Sequence, residues 1–154
     1  MRSIGVCYLL VAIFLAWDVR AQVVDQRTLE EMRVGEVIRL NGMLKKPSET
    51  ICVLQPYQET LSGDGPVQRQ VNAYLAASKY SSDESHWALA FVEGGTVSVQ
   101  RFKRSNRLDV ATGHPSLPSL SFKATTCAAL ARASLWKGSD WGSNRDIVVF
   151  GEAR

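Results

Sequence analysis

The stretch His86-Trp87-Ala88-Leu89-Ala90-Phe91-Val92-Glu93-Gly94-Gly95-Thr96-Val97-Ser98-Val99-Gln100-Arg101-Phe102-Lys103 decides the fold class. Two runs rich in β-branched and aromatic residues flank a two-glycine turn, a strong hairpin signal. The turn also fixes the register. Counting back from Gly94-Gly95 pairs Val92 with Val97, Ala90 with Val99, Leu89 with Gln100 and Trp87 with Phe102, so Trp87 and Phe102 share a face and belong in a core. Arg101 and Lys103 then project from the opposite face of their strand.

Upstream of the hairpin, Val67, Val71, Tyr74, Leu75 and Ser78 draw one stripe of a helix, with Gln68, Arg69, Gln70, Asn72 and Lys79 on its wet face. Thr50 to Gln55 reads as an interior strand: Ile51 and Val53 on one face and Cys52 and Leu54 on the other are all apolar, and Pro56 ends it. Glu36 to Met43 reads as a strand leading into the turn Lys45-Lys46-Pro47-Ser48. Asp25 caps a short helix through Arg33, with Val24 and Leu29 as a hydrophobic staple and Gly35 available at its end.

Downstream, Asn106 to Ser119 is polar and holds Gly113, Pro115 and Pro118, which reads as a long irregular loop. Leu120 to Thr126 is a weaker strand. Cys127, Leu130, Ala131, Ser134 and Leu135 follow at helical spacing, capped by Thr125 or Thr126 and closed at Gly138. Asp146 to Gly151 is a buried strand. The expected fold is α+β: a single domain with a mainly antiparallel sheet, two or three helices packed on it and one disulfide.

At the start of the chain, Arg2, the apolar run Ile4 to Trp17 and the small residue Ala21 have the layout of a secretory signal peptide. This divides the sequence into a leader, 1–21, and a secreted domain, 22–154. The apolar run is shorter than the ~20 residues of a spanning helix, so no stable membrane span is expected once the leader is removed. Cys7 lies within the run and goes with it. Cys52 and Cys127, 75 positions apart, are then an isolated pair in an oxidising compartment, periplasmic or extracellular, and read as one disulfide. None of Asn41, Asn72, Asn106 and Asn144 begins a glycosylation sequon, which leans toward a periplasm.

The whole chain has 18 basic and 15 acidic residues. Without Arg2, Arg20 and Asp18 the count is 16 against 14, too small a surplus to imply nucleic acid. Arg101, Lys103, Arg104 and Arg107 make the densest basic run, read either as a charged edge strand or as a surface for an acidic protein or an anionic envelope component. Trp136 to Arg145 puts one tryptophan at a helix end and another in a Gly/Ser loop; Trp141 and Arg145 there are the types that dominate contact energies. The expected binding set is therefore Trp141, Arg145, Arg101, Lys103, Arg104 and Arg107.

For chemistry the sequence offers little. Asp83, Glu84 and His86 are the one acid–base candidate, with Glu84 and His86 on the same side of a strand. His114 is the only other histidine, and no metal-ligand spacing, nucleophile elbow or phosphate loop is present, so neither metal nor cofactor is expected. In size and compartment such a chain resembles the periplasmic immunity and inhibitor proteins that neutralise hydrolases or toxins. The expectation is a non-catalytic binding protein whose partner is another exported protein. Its rivals are an envelope accessory domain that binds a polymer or lipid, and a small hydrolase using Asp83, Glu84 and His86.

Overall fold

The computed structural model describes residues 24–44, 48–140 and 142–154. The expected leader with Cys7, the cleavage point before Gln22, the Lys45 to Pro47 part of the turn and Trp141 lie outside the described residues. Helix α1 is Gln26–Glu31, strand β1 Val37–Arg39, β2 Thr50–Leu54, helix α2 Pro66–Ala77, β3 His86–Glu93 and β4 Thr96–Lys103. Then come β5 Asp109–Ala111, β6 Phe122–Ala124, β7 Cys127–Ala129, β8 Ala133–Asp140 and β9 Arg145–Ala153.

The described residues form two sheets, where the sequence pattern leads one to expect a single sheet. The first runs β4-β3-β2-β7 and is antiparallel throughout. The second runs β1-β8-β9-β5, with β6 beside the last residues of β9; β5 is parallel to β9 and the other pairs are antiparallel. Ile51, Val53, Trp87, Leu89 and Phe91 of the first sheet bury against Leu135, Val148 and Phe150 of the second, so the main core lies between the sheets. The opposite face of the first sheet, with Cys52, Leu54, Ala88 and Ala90, is covered by Val71 and Leu75 of α2. That two-sided burial is why β2 and β3 read as nearly continuous apolar runs.

The hairpin register is the expected one: Val92 faces Val97, Ala90 faces Val99, Leu89 faces Gln100 and Trp87 faces Phe102. Trp87 and Phe102 are both fully buried and stack with ring centroids 4.5 Å apart. Asp25 caps α1 as expected, its carboxylate accepting from the Arg27 amide, and Val24 and Leu29 are both buried in the main core. The helix ends at Glu31, short of Arg33. The expected strand from Glu36 to Met43 is paired only over Val37–Arg39, after which Leu40–Gly42 forms one 3₁₀ turn.

The largest correction concerns Cys127 to Gly138, which is two strands and not a helix. The alanines and the i, i+3, i+4 spacing favour a helix locally, but tertiary contacts override them. β8 is an interior strand with both faces covered: Ala133 and Leu135 enter the main core, while Trp136 packs with Phe122 and Val149 on the outer side. A strand buried on two faces has no alternation to betray it. Thr125 and Thr126 are not helix caps; the Thr125 amide donates to the Phe150 carbonyl (3.2 Å), and the Thr126 carbonyl accepts from the Val53 amide (2.8 Å). There the chain steps from one sheet to the other.

The Cys52–Cys127 disulfide is present, and it joins directly opposed residues of β2 and β7. It ties two neighbouring strands, not a strand to a helix. Gly138 to Asp140, which reads as a turn by composition, is the end of β8, and a side chain at Gly138 would collide with the Trp136 indole. The long polar stretch holds β5, because Asp109–Ala111 borrows the edge of β9.

Lys137 on β8 was not singled out by the sequence reading. Its side chain is buried, and the ammonium donates to the carbonyls of Leu29 (3.4 Å) and Glu30 (2.8 Å) and forms an ion pair with the Asp146 carboxylate (3.4 Å). It therefore closes the C-terminal end of α1, where backbone carbonyls lack partners.

Candidate functional site

One end of the molecule gathers the residues around the entry of β3, the exit of β4 and the starts of β5 and β9. β4 is an edge strand, and Phe102 pointing into the core forces Arg101 and Lys103 outward, as the alternation requires. Arg101 donates to Asp83 (2.6 Å) and its guanidinium carbon lies 6.0 Å from the Tyr80 ring centre. Lys103 is exposed on the same face. Its backbone amide donates to the Gln26 side-chain oxygen (3.1 Å), so α1 caps this end of the sheet edge.

Arg104 follows β4 immediately. It grips the Asp109 carboxylate through Nε and Nη2 (2.8 Å for the latter) and donates through Nη1 to the Glu84 carbonyl. Asp109 is 5 % exposed and also accepts from the Val110 amide (2.8 Å) and from Arg145 Nη1 (3.1 Å). Burial pushes its carboxyl up, but the Arg104 guanidinium, the Val110 amide and Arg145 together outweigh this, leaving it below its ordinary value. One buried carboxylate thus positions two arginines. They line a cleft of about 390 Å³ together with Glu84, Ser85, Ser105 and Asn106.

The six expected binding residues separate accordingly. Arg101, Arg104 and Arg145 are strung together through Asp83, the Glu84 backbone and Asp109. Lys103 shares the face of Arg101. Arg107 is exposed in the Ser105 to Leu108 turn beside the cleft, and Trp141 lies outside the described residues. Trp136, expected at a helix end near a contact loop, is 3 % exposed. Asp109 was missed: an isolated aspartate before two small apolar residues carries no signal until the fold brings two arginines to it.

Asp83, Ser85 and His86 form a tight cluster. Asp83 Oδ1 accepts from the Ser85 hydroxyl (2.6 Å) and amide (2.8 Å), and His86 Nδ1 lies 3.0 Å from the same oxygen and 2.9 Å from Ser85 Oγ. Serine and aspartate therefore meet the same ring nitrogen, whereas a nucleophilic relay needs them on opposite nitrogens. Glu84 accepts instead from the Tyr57 hydroxyl (2.8 Å), which raises the tyrosine pKa. The cluster fixes the turn into β3. His114 stacks at a tilt on Trp136, 5.1 Å between ring centres, and its Nδ1 accepts from the Ser116 amide. Among the described residues no group of three or more His, Cys, Asp or Glu comes together to hold a metal.

These carboxylates are expected to make the fold acid-sensitive. Hydrogen bonds from Ser85, then His86 and Arg101, hold Asp83 well below the usual range, and Asp109 is lowered as described. A group whose folded pKa is depressed contributes stability above its unfolded value of ~3.9, and that stability is lost as pH falls through the folded value. Urea midpoints should therefore fall progressively below pH ~4, and Asp109→Asn should be less stable at pH 7 with a shallower acid decline. An equally steep decline in that variant would remove Asp109 from the account.

No family model, curated protein or solved structure matches the chain. Among the described residues no helix is long and apolar enough to cross a membrane.

Proposed function

We propose that this chain is a small exported binding protein of the inhibitor or immunity type, whose cationic end docks an acidic surface of another exported protein. The observation that carries the reading is the arginine string: Arg101 and Arg145, 39 % and 43 % exposed, are each held by a carboxylate of the fold, at Asp83 and Asp109. Arginines fixed before contact lose less side-chain entropy on binding, and long-range charge accelerates encounter. The disulfide is compatible with export. A binding role of this kind needs no cofactor.

The test is capture of the partner on the mature chain from an envelope extract, followed by surface plasmon resonance with the identified protein. Arg101→Glu with Lys103→Glu should slow association about tenfold at low salt and flatten its salt dependence, while dissociation changes little. An unchanged association rate would move the contact elsewhere. Weak, salt-sensitive retention on isolated envelope polymer or lipid, with no protein captured, would favour the accessory-domain reading instead.

A further inference from the structure

The cleft beside Asp109 is richer in donors than its surroundings need. Arg104 spends Nε, one Nη2 proton and one Nη1 proton on Asp109 and Glu84, and Arg145 spends one Nη1 proton on Asp109. The remaining guanidinium protons of Arg145, the Asn106 amide and the Ser105 hydroxyl proton have no acceptor among the described residues, and all three residues line the cleft. Arg104 and Arg145 are balanced in charge by Asp109 and Glu84, so what the cleft offers a ligand is directed donors and not net charge. Glu84 lines the cleft as well, and one of its carboxylate oxygens accepts from the Tyr57 hydroxyl.

We propose that this cleft is a carboxylate-binding subsite, with the free edge of the Arg145 guanidinium as the clamp, Asn106 and Ser105 as neutral donors and Asp109 as the positioning residue. A planar guanidinium fork matches a carboxylate in two parallel hydrogen bonds, and Asp109 fixes its position from behind. The cleft volume admits one acidic side chain. The source of that carboxylate, an aspartate or glutamate of the partner protein, rests on the functional reading above; the subsite itself does not.

Glutarate serves as the probe on the isolated mature protein, followed by amide and guanidinium NMR at constant ionic strength. Saturable shifts are expected at Ser105, Asn106 and Arg145, with a dissociation constant on the order of 1 mM. Arg145→Gln should weaken binding at least tenfold, Glu84→Gln should strengthen it about threefold by removing the opposing charge, and Lys123→Gln on β6 should leave it unchanged. Urea midpoints of each variant establish that it is folded. Absence of saturable shifts, equal binding by folded Arg145→Gln, or weaker binding by Glu84→Gln would overturn the subsite. Tighter binding of inorganic phosphate than of glutarate would overturn the carboxylate assignment. A partner that binds Arg145→Gln as well as the native chain would remove the subsite from recognition while leaving the binding-protein reading standing.

Discussion

Trp87→Ala is expected to lower the unfolding free energy by about 3–5 kcal/mol, measured by urea denaturation at neutral pH. The indole is fully buried, stacks on Phe102 across the hairpin and sits where the two sheets meet. Truncation leaves a cavity with aromatic and aliphatic walls on strands whose pairing prevents collapse, so the cost belongs at the upper end of core substitutions. Trp87→Phe separates packing from polarity. Nε1 of Trp87 has no hydrogen-bond partner among the described residues, so phenylalanine keeps the stacked ring and removes a buried donor, at an expected cost of about 1 kcal/mol. Equal losses in the two variants would mean that ring stacking is not what holds this site.

The second large effect is expected from Cys52→Ala with Cys127→Ala. Closing a loop of 75 residues restricts the unfolded chain by about 4.5 kcal/mol in the chain-entropy model. The two alanines lie opposite each other on β2 and β7 and leave the ladder intact, so the loss should come chiefly from the unfolded state. The denaturant slope should rise along with the fall in midpoint, because an uncrosslinked chain exposes more surface. A loss under about 1 kcal/mol with an unchanged slope would place the stability of this sheet in its packing, not in the crosslink.

How much of this was legible follows from which elements report themselves locally. The β3–β4 hairpin did, because a two-glycine turn sets its own register and the partner strand is adjacent in sequence. The disulfide did, because assigning Cys7 to the expected leader leaves Cys52 and Cys127 with one pairing. α1 and α2 announced themselves through a cap and a one-sided stripe. What stayed hidden are elements defined by residues far away: β5 exists because β9 offers an edge, and β8 is a strand because β1 and β9 flank it and both its faces are covered. Its alanines and spacing spoke for a helix that the fold never forms.

The candidate site divides in the same way. Arg101 and Lys103 could be placed on one outward face from the hairpin register alone. Arg104 and Arg145 could be named but not joined, since the residue that joins them, Asp109, looks like any loop aspartate until the strands pair. The Asp83, Glu84 and His86 triplet shows the converse. It looked like possible chemistry, and local hydrogen bonds commit its members to the turn and to Tyr57.

The hold of Lys137 on α1 has a consequence for the order in which the molecule can assemble. The carbonyls of Leu29 and Glu30 meet their partner more than a hundred residues later, and among the described residues β1 pairs with that same segment of β8 and with no other strand. During synthesis, then, the first described helix can reach the β4 edge through Gln26 once the hairpin has emerged, but its C-terminal end still lacks a partner. The β3–β4 hairpin can close on its own, but the closing of the α1 C-terminal end and the pairing of β1 have to wait for β8, so they belong among the late steps of folding, governed by long loop closure.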